Sequence, residues 1–220
     1  MNDQWLVEQA LAFSAEHGVP VLPCRQDKSP IPPRGFYDAS DDPETIEKLF
    51  SHPEAAFVAM PSGPTSGISV LDIDVAKDGD PASGFDWLDA NRGLIPQTRT
   101  VQTPSGGLHY YFRHVEGLRC SQSRIGDGID VRAKGGLIIV AGFGYDLLKD
   151  IPFTELAPFP DEVIAQLGNQ SAKESYTASR KHDLSQIDRP RNWHEPVRDW
   201  VGAAVRRGDS KKTILELAPL

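Results

Sequence analysis

Two aspartates lie two positions apart in an otherwise apolar run, Val70-Leu71-Asp72-Ile73-Asp74-Val75, and this run constrains the fold more than any other segment. Apolar residues on both sides of each acid favour a buried strand. Because side chains alternate across a strand, Asp72 and Asp74 share one face, with their Cα atoms roughly 6–7 Å apart. Adjacent carboxylates are unfavourable unless a cation neutralises them, and a hard divalent cation is the natural partner. The alternative is a strand end with two surface acids.

A glycine turn followed by a histidine forms a second candidate motif, Thr103-Pro104-Ser105-Gly106-Gly107-Leu108-His109-Tyr110-Tyr111-Phe112. Two adjacent glycines allow backbone N–H groups to approach a phosphate closely. His109 then opens a strand, where it could donate a hydrogen bond to a phosphate oxygen or bind a metal. Taken alone, the motif is better explained as a hairpin turn followed by a partly buried histidine.

A third carboxylate lies in strand pattern within Gly126-Asp127-Gly128-Ile129-Asp130-Val131-Arg132-Ala133-Lys134-Gly135-Gly136. Asp130 lies between two β-branched residues, Arg132 shares its face by alternation, and Lys134 follows in the turn. An acid beside two cations suits a metal site that must also hold a polyanion. The alternative is a charged hairpin with no ligand.

The charge of the chain is unevenly distributed. Its net charge is −8, but residues 1–98 hold six Lys or Arg against sixteen Asp or Glu, which makes −10, and the remainder is therefore +2. This distribution excludes a protein with a generally basic DNA-binding surface. It permits an enzyme that holds a short stretch of template in one local groove.

Hydrophobic periodicity predicts an α+β domain with a mixed, largely antiparallel sheet flanked by helices. Helices are expected at 3–17, 43–50, 82–91 and 160–168, and strands at 19–22, 56–60, 67–75, 98–103, 108–113, 129–132 and 137–141. Many connections between the strands are short, which favours antiparallel pairing. Cys24 and Cys120 are far apart and form no pair motif, which argues against a zinc site or a disulfide framework.

The domain division expected from the sequence is a catalytic domain at 1–168, a polar linker at 169–190 and a small helical unit at 191–220. The helical unit is indicated by apolar residues at helical spacing between 192 and 216. No apolar run is long enough to cross a membrane, and no secretory signal is apparent. The cytoplasm is therefore the expected location.

Together, the three motifs supply what two-metal phosphoryl transfer needs: carboxylates for a pair of metal ions and cationic donors for a triphosphate. The order and the residues of the three motifs closely resemble those of the bifunctional DNA primase/polymerase N-terminal domain, which belongs to the archaeo-eukaryotic primase superfamily. The segments that carry the resemblance are LDID, TPSGGLHYYF and GIDVRAKGG. The segment Lys28-Ser29-Pro30 is similar to the family's lysine-proline segment, and the resemblance covers roughly residues 5–168. The chain departs from the family pattern at 140–144, where an alanine-proline segment is usual.

The resemblance implies specific roles. Asp72, Asp74 and Asp130 would be catalytic ligands of two Mg²⁺ or Mn²⁺ ions. His109 and Ser105 would contact the incoming nucleotide, and the cations Arg132 and Lys134 would contact phosphate or template. The expected activity is that of a DNA primase or DNA-directed polymerase with a DNA template and deoxynucleoside or nucleoside triphosphates as partners.

Two other interpretations of the chain remain open at this point. One is a metal-dependent nuclease or phosphatase, which explains the acids but not donors arranged for a triphosphate. The other is a non-catalytic replication-initiation module that binds DNA. Residues 192–216 resemble a helical segment of plasmid, phage and prophage replication proteins, in which a helicase domain or protein is a frequent partner.

Overall fold

The computed structural model describes residues 3–76 and 83–168. The α-helices of that part are α1 (Asp3–His17), α2 (Pro43–Phe50), α3 (Gly84–Asn91) and α4 (Asp161–Gln166). Its strands are β1 (Leu22–Cys24), β2 (Phe57–Pro61), β3 (Ile68–Ile73), β4 (Thr100–Gln102), β5 (Leu108–Arg113), β6 (Ile129–Arg132), β7 (Leu137–Gly142) and β8 (Asp146–Lys149). Single 3₁₀ turns occur at Gly35–Asp38, Arg92–Leu94 and Phe153–Glu155.

Local signals in the sequence explain where two of the helices begin. Asp42 caps α2, because its carboxylate accepts a hydrogen bond from the backbone N–H of Thr45 at 2.9 Å, and Pro43 occupies the first helical position. Ser83 caps α3 through a hydrogen bond from the backbone N–H of Phe85. Helix α1 ends at Gly18, which adopts a left-handed φ of 65°.

The strands form two sheets. The smaller sheet has the order β1-β2-β7 and the larger one the order β6-β3-β5-β4-β8, with every pairing between these strands antiparallel. Strand β3 therefore lies between β5 and β6, and all six of its residues are buried. It is one of the strands of the larger sheet that have a neighbour on both sides, and it carries Asp72.

Three apolar clusters fill the interior. The first joins α1 and α2 to the smaller sheet and includes Leu6, Ile46 and Phe50. The second packs α3 and α4 against the larger sheet through Leu88 and Val163. The third covers the other face of the smaller sheet. The described residues thus form a core that helices cover and that holds β3 in place.

The α+β class and the largely antiparallel pairing predicted from the sequence are confirmed. Two elements differ from the prediction. The first strand lies at Leu22–Cys24 rather than at 19–22, because Val21 forms only an isolated bridge to Ser40. Strand β8 was not predicted at all. The predicted linker and helical unit, residues 169–220, lie outside the described residues, and the domain division stays a prediction.

Both cysteines of the chain are free thiols, Cys24 buried and Cys120 partly exposed. In the ranges that the structure describes, no helix is both long and apolar enough to span a membrane.

Candidate active site

Asp72 lies at the centre of a row of three polar residues that crosses the larger sheet. In the register of the sheet it pairs with Asp130 of β6 on one side and with His109 of β5 on the other. Directly paired residues point to the same face, so the three side chains lie together although they are distant in sequence. All three are buried, with between 4% and 8% of their surface exposed. The strand pairing therefore brings one residue from each sequence motif to a single point.

Arg132 lies between the two facing carboxylates and offsets one of their two negative charges. Its Nη2 lies 2.8 Å from Asp130 Oδ2, and its Nε lies 3.5 Å from Asp72 Oδ2. The backbone N–H of Ser123 donates a further hydrogen bond to Asp130 Oδ1 at 3.0 Å. Two buried like charges need such partners, because an unpaired buried charge is strongly destabilising. Ser123 supplies its N–H from a left-handed conformation, with φ 47°.

The environment of Asp72 keeps it ionised. Burial is the largest influence and by itself raises the pKa of this carboxyl group. The hydrogen bond and charge of His109, together with the charge of Arg132, outweigh burial, so that the pKa of Asp72 lies below its usual range. Asp72 is thus an anion at neutral pH, as a ligand of a cation must be.

His109 approaches Asp72 with one ring nitrogen and leaves the other without a partner. Its Nε2 lies 3.4 Å from Asp72 Oδ1, which is longer than an ordinary N–H···O hydrogen bond. Its Nδ1 is buried with no hydrogen-bond partner in the described structure. The long contact to Asp72 leaves Nε2 able to donate a shorter bond to another acceptor. Catalytic hydrogen bonds are often long before substrate binds.

Asp74 follows the end of β3, and its backbone is fixed on both sides. Its N–H donates to the carbonyl of Gly128 at 2.8 Å, and its carbonyl accepts from the N–H of Gly84 at 3.0 Å. Asp74 is therefore held by Gly84, the first residue of α3, and by Gly128, which lies two positions before Asp130. The backbone of Asp74 is built into the fold rather than carried on a free loop.

A cavity of about 320 Å³ opens beside these residues, between the two sheets. Its lining combines acids and cations of the larger sheet with apolar residues of β7. The lining residues are Lys28, Asp72, Asp74, His109, Arg132, Leu137, Ile138, Ile139 and Tyr145. A volume of this size lies in the range of small-molecule sites.

Two predicted site residues lie away from this cavity. Ser105 is exposed in the turn before β5, where its Oγ lies 3.0 Å from Thr103 Oγ1. Lys134 is exposed just after β6, and the backbone there bridges to Arg119. Neither belongs to the described residues that line the cavity. Asp130 is not in that lining either, but it pairs with Asp72 and binds Arg132. Four of the seven residues that the sequence indicated therefore line the cavity, and Asp130 lies directly beside them.

Lys28 and Tyr145 are polar residues of the lining for which the sequence predicted no role. Lys28 belongs to the lysine-proline segment, so a signal existed but indicated no chemistry. Tyr145 directly follows the segment in which the chain departs from the family pattern, and no local pattern pointed to it. Both reach the cavity through tertiary packing, which residue spacing does not reveal.

The donor chemistry of the site fits a hard divalent cation, because Asp72, Asp74 and Asp130 offer carboxylate oxygens on the face of β3 or next to it. In residues 3–76 and 83–168, however, no three Asp, Glu, His or Cys side chains are gathered into a finished ligand cluster. Arg132 provides the positive charge between Asp72 and Asp130 in this structure.

A search against protein-family models matches residues 10–161 to the bifunctional DNA primase/polymerase N-terminal family. The matched range covers more than half of the chain and contains all three motifs. The chain belongs to this primase/polymerase family. None of the curated proteins compared with the chain matches it.

Membership of the primase/polymerase family connects the geometry to a general function. The family acts in DNA primer synthesis or polymerisation, generally with divalent metal ions, and DNA and nucleotides are consistent substrates. The matched range begins within α1 and ends at the first residue of α4. Both sheets and the cavity between them are therefore part of the shared domain.

Proposed function

We propose that the chain catalyses template-directed nucleotidyl transfer on DNA, with Asp72, Asp74 and Asp130 as the ligands of two Mg²⁺ or Mn²⁺ ions. The observation that carries the proposal is the strand register, which sets Asp72 between Asp130 and His109 at the wall of the cavity. Such an arrangement supplies anions for metal and donors for phosphate within one site.

The chain's own residues have distinct roles in this proposal. Asp72 and Asp130 are held as anions by Arg132, and Asp74 is fixed by its backbone bonds, so the ligand set is oriented before substrate arrives. His109 Nε2 is the donor to a phosphate oxygen, since its contact with Asp72 is long. The apolar residues of β7 in the lining limit access of water. Preorganised donors of this kind stabilise charge that develops in the transition state.

The metal ions, when bound, would activate the attacking 3′-hydroxyl and neutralise the leaving pyrophosphate. Ser105 remains a proposed contact to the incoming nucleotide, and Lys134 remains a proposed contact to phosphate or template. The exposed position of Lys134 outside the cavity lining favours the template. The wider setting, a plasmid, phage or prophage replication protein with a helicase partner, depends on residues outside the described ranges and stays a prediction.

One experiment separates this function from the alternatives. A single-stranded template is incubated with labelled nucleotides and Mg²⁺ or Mn²⁺, with and without a primer, for the wild type and Asp72→Asn. We expect labelled product from the wild type only, and none in excess EDTA. Metal-dependent loss of labelled DNA without nucleotides would indicate a nuclease. DNA binding with neither activity would indicate a non-catalytic module.

A further inference from the structure

Lys28 reaches the cavity from a different part of the fold than the acids. It lies in the loop after β1, whereas Asp72, Asp74 and Arg132 lie on the larger sheet or beside it, yet all four line the same cavity. The cavity is therefore bordered by a second cation that none of the three sequence motifs contains.

The backbone of Lys28 adopts a conformation that lysine disfavours. Its φ is 67°, in the left-handed region where glycine is the usual residue. The loop is fixed in this shape, because Lys28 N–H donates to the Arg25 carbonyl at 2.9 Å and Arg25 N–H donates to the Ser29 carbonyl at 2.8 Å. Arg25 is anchored in turn by an ion pair with Glu54 at 2.9 Å. The fixed loop thus holds Lys28 in a backbone conformation that is uncommon for residues other than glycine and that occurs frequently at functional sites.

The side chain of Lys28 extends to Tyr145. Its ammonium lies 5.8 Å from the centre of the tyrosine ring. Burial raises the pKa of Tyr145 and exceeds the opposing effect of Lys28, so the phenol is neutral at physiological pH. The same ring lies 6.0 Å from the ring of His109. Tyr145 thus positions the ammonium beside the proposed phosphate donor.

The two cations of the lining differ in their partners. Arg132 is bound to two carboxylates, Asp72 and Asp130. The ammonium of Lys28 is directed at a neutral phenol, an interaction that a phosphate oxygen readily replaces, because a charged acceptor gives a much stronger hydrogen bond to an ammonium. Lys28 is consequently the cation of this lining that is better prepared for a polyanion.

We propose that Lys28 binds the phosphate chain of the incoming nucleoside triphosphate and that Tyr145 holds its side chain in place before the nucleotide enters. Lys28 is then a residue that distinguishes triphosphates from monophosphates. This inference rests on the proposed function, since it assigns a further residue to the same site.

The variant Lys28→Gly tests this proposal, because the left-handed backbone at this position suits glycine. Glycine relieves the strain at φ 67°, so the variant should unfold at the wild-type temperature or above. If the side chain binds phosphate, its affinity for dGTP in the presence of Mn²⁺ should nevertheless fall by about 10- to 100-fold, the effect of one charged hydrogen bond. Affinity for dGMP should change by less than about twofold, and Lys28→Arg should restore most of the dGTP affinity.

Isothermal titration of dGTP and dGMP, each with Mn²⁺, measures these values, with Lys48→Ala as control because Lys48 is exposed on α2. Equal dGTP affinity for wild type and Lys28→Gly overturns the inference. Equal losses for dGTP and dGMP also overturn it, since Lys28 would then contact a part that both nucleotides share, the α-phosphate, sugar or base, and would not distinguish triphosphates. In both cases the proposed function stands if the wild type still extends a template. A wild type that binds no dGTP overturns both.

Discussion

At the scale of single residues, the charged groups around Asp72 differ in the partners that they contact. Asp72 contacts both His109 and Arg132, whereas Asp130 contacts Arg132 and a backbone N–H. Asp72 and Asp130 therefore form one unit joined through Arg132, and His109 lies at its edge. Residues that act as a unit and a residue that acts beside the unit should respond differently to substitution.

We expect Asp72→Asn, Asp74→Asn and Asp130→Asn each to remove nearly all nucleotide incorporation and most Mn²⁺ binding. A double variant should be little worse than either single variant, because a metal pair that lacks one ligand is already lost. Isothermal titration of Mn²⁺ beside incorporation rates measures both effects. Asp86→Asn on the exposed face of α3 is the matched control. An Asp130→Asn enzyme with nearly intact rate would show that β6 carries only a charged hairpin.

His109→Ala should behave differently from the aspartate variants. A charge-assisted hydrogen bond to a phosphate contributes roughly 1.5–3 kcal/mol, so its loss should raise the apparent KM for nucleotide by about 10- to 100-fold. Binding of Mn²⁺ should survive. If His109→Ala abolishes Mn²⁺ binding as Asp72→Asn does, His109 is a metal ligand rather than a donor to phosphate.

At the scale of secondary-structure elements, the close approach of two glycines determines where β3 ends. A Cβ atom added to Gly128 would lie 2.6 Å from the backbone nitrogen of Gly84 and 3.3 Å from the carbonyl oxygen of Asp74. Gly128 also adopts a φ of 69°, which disfavours other residues. The start of α3, the end of β3 and the approach to β6 therefore meet at one point where no side chain fits.

Gly128→Ala should consequently disturb both stability and activity. Left-handed strain and overpacking together should lower the free energy of unfolding by about 2–4 kcal/mol. Nucleotide incorporation should fall with it, since the clash displaces the backbone that holds Asp74. Gly93→Ala is the control, because its added Cβ meets nothing within 4 Å, and it should change the free energy of unfolding by less than about 0.5 kcal/mol. Urea unfolding compares the two, and equal stability would contradict the argument.

The elements predicted correctly from the sequence are those with a clear local signal, either apolar residues at the spacing of a strand or a helix, or a cap at the start of a helix. Strands β3 and β5 are long and apolar, and α2 begins with an aspartate cap and a proline, so each was located within about two residues. Strand β8 escaped prediction because it is four residues long at a sheet edge, with both leucines exposed. Such a strand has no buried face and hence no alternation to detect.

The candidate site was predictable where its chemistry is local. Two acids at alternate positions in an apolar strand indicate a shared face by themselves. The pairing of Asp72 with both Asp130 and His109 depends instead on strand register, which long-range packing determines. Lys28 illustrates the limit most clearly, because a lysine in a proline-rich loop carries no periodic signal. Its position in the cavity follows from the path of the loop.

At the scale of the whole molecule, a buried histidine should make stability depend on pH. His17 ends α1, stacks on Phe153 with ring centres 4.2 Å apart, and has only 3% of its side chain exposed. Burial and the charge of Arg99 lower its pKa against the opposing effects of Glu16 and Asp150. The unfolded chain then binds the additional proton more readily. The stabilisation is complete above about pH 6.5 and is lost as the pH falls toward the folded-state pKa.

We therefore expect the melting temperature of the wild type to fall between pH 7.5 and pH 5.5 by more than that of His17→Phe, which keeps an aromatic ring in the stack. Each kcal/mol lost corresponds to about 2–4 °C for a protein of this size. Thermal unfolding at several pH values, monitored by circular dichroism, provides the comparison. Parallel pH dependence in the two proteins would show that His17 does not titrate in this window.

The last prediction concerns how much of the chain is needed for nucleotide binding. The family match ends at residue 161, and α4 closes the second apolar cluster through Val163 and Leu167. The described residues that line the cavity all precede this point. A chain of residues 1–168 should therefore fold and retain wild-type Mn²⁺-dependent dGTP affinity within about threefold, because it contains the described cavity lining and the three apolar clusters.

Template binding is the property in which the shortened chain can differ. Residues 191–220 contain Arg198, Arg206, Arg207, Lys211 and Lys212, which are either solvated or contacts to the phosphates of the template. If they contact phosphates, the full chain should bind single-stranded DNA more tightly than residues 1–168 and lose affinity more steeply with salt, by about 0.7 in logarithmic slope for each lost contact. Fluorescence anisotropy over a range of salt concentrations distinguishes the two cases. A shortened chain that is folded but binds no dGTP would show that the nucleotide site extends past residue 168 and that the predicted domain division is wrong.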